Sequence, residues 1–323
     1  MCVKRAFVTG GSGFLGRKLI ATLVGRGVAV VALSRSEKSD ELVKKHGATP
    51  VRGDLDDTSA MQAGMAGCQV VFHAAAYVDE HGKLADHMRV TVEGTKHALA
   101  AARAAGVPRF VHVGTEAVLA DGKPIVRADE TRPYAAKPAG PYSRTKALAE
   151  QAVLAANGPG LTTVSIRPRF IWGADDTSLM PKLIEAVNSG TFAWIGGGHY
   201  LTSTCHVDNV VEGALLAAEK GTGGETYFLT DGEPVDFREF MTALLATHGV
   251  DAGTKSVPRW LAKTAATLTA WMKRPPVTKQ AVALIGGEVT VVDAKARREL
   301  GYQGKVTRDA GLAEMRAVHG AGA

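Results

Sequence analysis

The sequence predicts an α/β fold: a doubly wound parallel sheet with helices on both faces, and a smaller discontinuous cap toward the C-terminus. Three observations predict it. Short apolar runs alternate with longer segments of helical period through the first half of the chain. The strand-length runs are continuously apolar, as parallel strands covered on both faces must be. Glycines recur three apart, at Gly10, Gly13 and Gly16, where the first run gives way to the first helix.

Strands are expected at Arg5–Thr9, Val28–Leu33, Thr49–Arg52, Val70–His73, Phe110–Val113 and Thr163–Ile166. Helices are expected at Phe14–Gly25, Lys38–His46, Thr58–Met65, Val90–Ala105 and Tyr142–Ala156. This is a βαβ rhythm. After Ile166 it loosens, and Pro168, Pro181, Gly196-Gly197-Gly198 and Pro275-Pro276 punctuate shorter elements. His206–Glu219 and Thr226–Leu229 return one more helix and strand to the sheet. The chain then divides into a sheet unit, residues 1–170 with 205–232, and a cap, residues 171–204 with 233–323.

One cap segment has a pattern of its own. Pro258 suits the first turn of a helix over 258–274, and Pro275-Pro276 would end it. Leu261, Ala265, Leu268 and Met272 form one stripe flanked by Trp260 and Trp271, with Arg259, Lys263, Lys273 and Arg274 opposite. Such a stripe packs on the cap's own core, lines a pocket for an apolar ligand, or lies on an anionic bilayer.

Composition narrows the function. The 323 residues are 46% hydrophobic and 22% charged, enough to bury a sizeable core. The net charge of +6 is spread over scattered pairs such as Lys44-Lys45 and Arg297-Arg298, and aromatics are 6% of the chain. The concentrated basic face with stacking platforms that nucleic-acid binding needs is absent from the sequence. Cys2, Cys68 and Cys205 form no C-x-x-C pair, so neither a disulfide framework nor a zinc site is expected. A strand and glycine loop at the very start leave no room for a signal peptide, and no apolar run reaches the roughly 18 residues of a spanning helix. The expectation is a cytoplasmic protein with no metal.

The loop Thr9-Gly10-Gly11-Ser12-Gly13-Phe14-Leu15-Gly16 lies between strand and helix. Glycine permits a tight turn and lets backbone N–H groups approach a pyrophosphate, to which the following helix presents unpaired donors. That context makes the loop a dinucleotide cradle of the Rossmann type. At the end of the second strand an acid would select NAD, whereas arginine suits a 2′-phosphate. Here stand Ser34, Arg35 and Ser36 without an acid, so NADP(H) is favoured over NAD(H).

Tyr142 and Lys146 are four residues apart and share a helix face. A free phenol, with a pKa of about 10, is a poor acid–base at neutral pH, and a neighbouring ammonium favours its phenolate. Thr115 leaves the carboxyl end of the fifth strand, where open α/β sheets place their ligands, and offers a hydroxyl for a substrate oxygen.

These residues resemble the extended short-chain dehydrogenase/reductase superfamily over nearly the whole chain. The resemblance rests on Gly10-x-x-Gly13-x-x-Gly16, Gly53-Asp54-Leu55, His73-Ala74-Ala75-Ala76, Gly94-Thr95, Thr115, Tyr142-x-x-x-Lys146, Arg167-Pro168 and His206-Val207-Asp208. It implies that Thr115, Tyr142 and Lys146 are the catalytic triad and that Lys146 also holds the nicotinamide ribose. It implies further that Asp54 and Leu55 contact adenine, that Ala74, Ala75 and Ala76 line the ribose and phosphates, and that backbone at Pro168 and Arg169 borders the nicotinamide. Two departures stand out: Thr115 replaces the usual serine, and Thr91 replaces an asparagine of the usual proton relay. The blocks Arg167–Gly173 and Ala294–Tyr302 are similar to the 3β-hydroxysteroid dehydrogenase and dihydroflavonol-reductase-like branch.

The expected activity is reversible hydride transfer between a secondary alcohol and a ketone on a small, largely apolar substrate. A nucleotide-sugar epimerase or dehydratase would use the same triad but needs cations for a diphosphate, and Ile171–Thr204 carries only Lys182. A non-catalytic dinucleotide sensor would not need Tyr142 and Lys146. His73, His112 and His206 are expected to be structural, and Asp208 to cap a helix. The expected partners are the substrate, a bilayer surface at 258–274 and a second copy of the chain, with no nucleic acid.

Overall fold

Alternation along β1 (Arg5–Thr9) builds a sheet with two covered faces. Ala6 and Val8 point one way, into a core with Leu19, Ile20, Leu23, Val211 and Ala214. Phe7 points the other way, onto Met61, Met65, Ala98, Leu99 and Val153, because successive strand residues face opposite sides. The computed structural model describes residues 3–79, 81–272, 275 and 277–320.

The first half runs α1 (Phe14–Gly25), β2 (Ala29–Ser34), α2 (Glu37–Lys45), β3 (Thr49–Arg52), α3 (Thr58–Met65), β4 (Val70–His73), α4 (Leu84–His87), α5 (Gly94–Ala104), β5 (Arg109–Val113), β6 (Ile125–Ala128), α6 (Pro141–Ala155) and β7 (Thr162–Pro168). The second half adds β8 (Ile171–Trp172), α7 (Met180–Asn188), β9 (Trp194–Ile195), β10 (Leu201–Thr202), β11 (Cys205–His206), α8 (Val207–Lys220) and β12 (Thr226–Leu229). Then come β13 (Val235–Asp236), α9 (Phe237–Ala246), β14 (Ser256–Val257), α10 (Arg259–Leu268), α11 (Lys279–Ile285), β15 (Val289–Val291) and α12 (Arg308–Gly320).

Seven strands in the order β12-β7-β5-β4-β1-β2-β3 form the main sheet, and every pairing in it is parallel. The chain winds outward from β1 to β3, then returns to β4 and winds the other way. The switch point between β1 and β4 opens at the glycine loop, where such sheets bind ligands. A second sheet, β13-β10-β15-β6, lies outside the expected pattern and joins β6 to strands much later in the chain. A third core of Trp172, Trp194, Phe237, Phe240, Leu244 and Met315 is rich in aromatics.

Two helices differ from expectation. Residues 90–105 do not form one α-helix, because Met88–Glu93 is wound as a π-helix before α5 begins. The helix expected over 258–274 is α10, which stops at Leu268 with Thr269 as its C-cap, well before Pro275. Its buried residues are Ala262 and Ala266, while Trp260, Leu261, Leu268, Trp271 and Met272 are exposed. The stripe therefore faces outward and does not pack on the cap's core. Lys273, Arg274, Pro276 and Cys2 lie outside the described residues. Cys68 and Cys205 are buried free thiols.

Candidate active site

The glycine loop is shaped by two close approaches. Gly10 has φ +72°, and a Cβ there would lie 2.8 Å from the Ala75 nitrogen. At Gly16 a Cβ would lie 2.1 Å from the Gly10 carbonyl oxygen. Gly13 is the N-cap of α1, with no side-chain cap bond and no acid in the first turn. The first N–H groups of α1 are thus left to an anion. The loop borders a cavity of about 530 Å³ lined by Gly10, Gly13, Phe14, Leu15, Gly16, Arg35, Asp54, Leu55, and Ala74 to Ala76. A polyanionic dinucleotide fits this donor set, and the sequence-predicted residues of its adenosine half are brought together here.

At the end of β2 the three candidates separate. Arg35 is exposed and lines the cavity. Ser34 is buried, and its hydroxyl donates to the Ser36 carbonyl at 3.3 Å. Ser36 caps α2, accepting from the Ser39 nitrogen. Ser39, which sequence reasoning did not select, lines the cavity with Ser12 and Ser178. Being one helical turn past Ser36, it had a positional signal. Arg17 donates to the Asp175 carbonyl at 2.9 Å and to Ser12.

Thr115, Tyr142 and Lys146 come together where β5 ends. Gly140 caps α6 in extended conformation and Pro141 occupies its first turn, so Tyr142 opens the helix. Lys146, buried one turn on, donates to the Val113 carbonyl at 2.6 Å and approaches His112 Nε2 at 3.4 Å. Burial pushes its ammonium down to about 8, and Glu150 pulls it back up. Burial, and then the negative charge of Glu116, push the Tyr142 phenol up to about 12 against the opposing effect of Thr115. At neutral pH the phenol therefore holds its proton and can donate it.

Sequence reasoning missed Glu116. Its carboxylate is buried, accepts from Thr115 Oγ1 at 2.8 Å and pairs with Arg169 Nη1 at 3.2 Å. The sequence showed only a lone acid in the largely apolar stretch Val113–Ala120, which does not reveal its partner Arg169. The Arg169 side chain, in turn, is committed to Glu116 and to the Leu284 carbonyl at 2.7 Å. Pro168 closes β7 beside it.

The histidines are held by their neighbours. Thr95 Oγ1 donates to the Thr91 carbonyl at 2.6 Å, so His73 Nε2, 3.0 Å away, donates to Thr95. His73 Nδ1 then accepts from Thr9 Oγ1 at 2.8 Å. Burial, and then the charge of Lys146, pushes His73 down to about 3 and His112 well below its ordinary value. Thr91 accepts from the Tyr77 nitrogen at 3.0 Å. Asp208 does not cap α8; the cap is His206, whose Nδ1 accepts from the Asp208 nitrogen. Among the described residues, His206, Asp208 and Glu314 bring ligand-type atoms within 4.8 Å of one another. Lys18 Nζ lies 3.1 Å from Asp208 and 4.0 Å from Glu314, and so supplies a positive charge at this cluster.

Cradle and acid–base pair open on the same carboxyl edge of the sheet, which makes this an oxidoreductase of the extended short-chain dehydrogenase/reductase superfamily, using a nicotinamide dinucleotide. More narrowly, residues 7–259 match the 3-beta hydroxysteroid dehydrogenase/isomerase family, and the chain belongs to it. It is 53% identical to a 4-hydroxy-2-methyl-3-oxo-4-farnesyl-3,4-dihydroquinoline-1-oxide ketoreductase from Stigmatella aurantiaca, over 98% of this chain and 97% of that one. It is 35% identical to a 2-alkyl-3-oxoalkanoate reductase from Stenotrophomonas maltophilia, over 97% of this chain and 98% of the other. The structure of a dTDP-glucose 4,6-dehydratase from Streptomyces venezuelae superimposes with a TM-score of 0.78 over 98% of this chain and 97% of that one. At 23% identity that likeness is one of fold alone.

Proposed function

We propose that the protein is an NADP(H)-dependent ketoreductase acting on a ketone that carries a long apolar chain. The observation that carries this is the convergence of Tyr142, Lys146 and Thr115 at the end of β5, with Lys146 buried against Val113 and Tyr142 held as a proton donor. The bound dinucleotide supplies the hydride. Tyr142 gives its proton to the substrate oxygen, Thr115 orients that oxygen, and Lys146 favours the phenolate left behind. Both relatives' names carry a 3-oxo group beside an apolar chain, farnesyl in one and alkyl in the other. Arg35 at the cavity rim would pair the 2′-phosphate.

In this reading residues 1–170 with 205–232 hold the dinucleotide, and residues 171–204 with 233–323 cover the substrate. The protein works in the cytoplasm, and its α10 face touches a bilayer from which an apolar ketone could partition. No helix among the described residues is long and apolar enough to cross a membrane.

The test is a steady-state assay of NADPH and NADH oxidation with 3-oxo compounds of increasing chain length. Tyr142→Phe should lower turnover at least ~100-fold with little change in cofactor affinity, as expected for a lost general acid. Arg35→Ala should weaken NADPH alone, by about 1.5–3 kcal/mol for a charged contact. Normal turnover by Tyr142→Phe would sink the mechanism, and a native preference for NADH would remove Arg35 from the site.

A further inference from the structure

The helix that carries Tyr142 and Lys146 begins without a cap of its own. Gly140, the N-cap residue of α6, has no side chain to offer, and Pro141 has no N–H. The Arg144 nitrogen finds the Gly140 carbonyl at 3.1 Å. The Ser143 nitrogen remains among the donors that the first turn of a helix leaves over. Ser143 is fully buried, so water cannot serve it. Among the described residues its acceptor is Oε1 of Gln280, 3.4 Å away and 137 residues along the chain.

Gly140 is a glycine for space, not for its backbone. Its φ of −171° is extended and open to any residue. A Cβ there, however, would lie 2.5 Å from Gln280 Oε1 and 3.0 Å from Gln280 Cβ. Gln280 therefore fills the place in which a capping side chain would stand.

The helix that carries Gln280 is itself tied down at both ends. Thr278 caps the start of α11, accepting from the Ala281 nitrogen at 2.9 Å. At the far end the Leu284 carbonyl accepts from Arg169 at 2.7 Å, and the Ile285 carbonyl accepts from the Tyr200 hydroxyl. Arg169 also pairs with Glu116, the neighbour of Thr115. One short helix thus reaches the start of α6 directly and the end of β5 through Arg169. Those are the two places from which the catalytic side chains come.

We propose that Gln280 is a positioning residue: it caps α6 from across the fold and so fixes the turn that carries Tyr142. Lys146 has its own anchor in the Val113 carbonyl at 2.6 Å, so loss of the cap acts on Tyr142 and spares the lysine. A reacting group displaced by about 1 Å can cost roughly 100-fold in rate. The role rests on the assignment of Tyr142 as the proton donor.

The experiment is single-turnover reduction of a long-chain 3-oxo ester by bound NADPH, which keeps product release from masking the chemical step. Gln280→Leu fills much the same volume but has no acceptor. It should lower the rate at saturating substrate by at least ~10-fold, with KM and NADPH affinity unchanged. Gln280→Glu keeps an acceptor oxygen in place and should stay within about threefold of wild type. Should Gln280→Leu fail to fold, Gln280→Asn, whose oxygen is withdrawn by one methylene, decides by the same comparison. A glutamine that served stability alone would lower the melting temperature and leave the rate in place. A wild-type rate in the folded variant overturns the proposal, and so does a Gln280→Glu enzyme as slow as that variant. A raised KM in place of a lowered rate would make Gln280 a substrate contact and overturns it too. The two readings fail separately: activity retained by Tyr142→Phe sinks the proton-donor assignment, whereas an inactive Tyr142→Phe beside a fully active Gln280→Leu sinks only this one.

Discussion

Lys146 carries two conflicting demands in one ammonium. Function needs its positive charge beside Tyr142, while burial favours the neutral amine and lowers its pKa from 10.5 to about 8. At about 1.4 kcal/mol per unit, that shift is a stability penalty of roughly 3 kcal/mol at neutral pH. The sign follows from proton counts. Below pH 8 both folded and unfolded lysine are charged and the penalty is full. Between about 8 and 10.5 the unfolded chain holds more protons, so stability from this group rises with pH and the penalty fades. Replacing Lys146 by methionine removes the charge but forfeits the bond to Val113, worth about 1–2 kcal/mol. Lys146→Met should therefore be about 1–2 kcal/mol more stable than wild type at pH 7 and nearly inactive, the trade-off expected of a strained functional residue. Urea denaturation at pH 7 and pH 10 checks it. A variant less stable at pH 7, or a difference that grows with pH, would show that the burial penalty is met elsewhere.

The junction of β5 and α6 positions that lysine, and Gly114 is its tightest point. Its N–H donates to the Ile166 carbonyl at 2.7 Å. A Cβ there would sit 2.7 Å from Glu150 Oε2 and 2.8 Å from Ser165 Oγ. Glu150 has no freedom to move aside, since it binds Arg167 at 2.6 Å, Ser165 at 2.8 Å and Tyr134 at 2.9 Å. Gly114→Ala should cost about 1–3 kcal/mol by overpacking. Because it displaces Thr115 and α6 together, it should also lower turnover by about 100-fold. Gly25→Ala, where nothing lies within 4 Å, should instead gain about 0.5 kcal/mol through helix propensity. Equal effects in the two variants would refute this account of the junction. The same junction shows what the sequence makes legible. The parallel strands announced themselves because both faces are covered, and β1, β3, β4 and β12 have the bounds their apolar runs predict. Strand β6 did not, because its partner Val289 lies far along the chain and its four residues carry only two buried side chains. Helix α9 had an unused signal: Asp236 accepts from the Glu239 nitrogen, a cap with an acid three residues on. Within the site, Tyr142, Lys146 and Thr115 were legible as types at fixed spacing. Glu116 was not, since its meaning depends on Arg169, which only the fold brings beside it.

At the scale of the whole molecule, the outward face of α10 is the feature least explained by folding. Ala262 and Ala266 anchor the helix on Ile195 and Val282, while Trp260 and Leu268 are each 68% exposed and Trp271 is 85% exposed. Contiguous apolar patches of this kind mark binding surfaces on soluble proteins. Lys263 and Lys279 flank it around a shared cavity, and the chain carries a net charge of +6. Tryptophans beside lysines suit the headgroup layer of an anionic bilayer, where the indole sits between water and acyl chains. The protein should therefore sediment with vesicles rich in phosphatidylserine at low salt and far less with phosphatidylcholine alone. Raising the salt should weaken binding, because the lysine contribution is screened over about 10 Å at 0.1 M. Trp271→Ala should weaken it at least ~10-fold, since burying an aromatic side chain is worth about 1.5–3 kcal/mol. Its thermal stability should be unchanged, as the side chain is already in water. If the wild type ignores anionic vesicles at low salt, the bilayer reading fails. The same patch would then be read by whether Trp271→Ala turns a concentration-dependent dimer into a monomer, or raises KM for long-chain but not short-chain ketones.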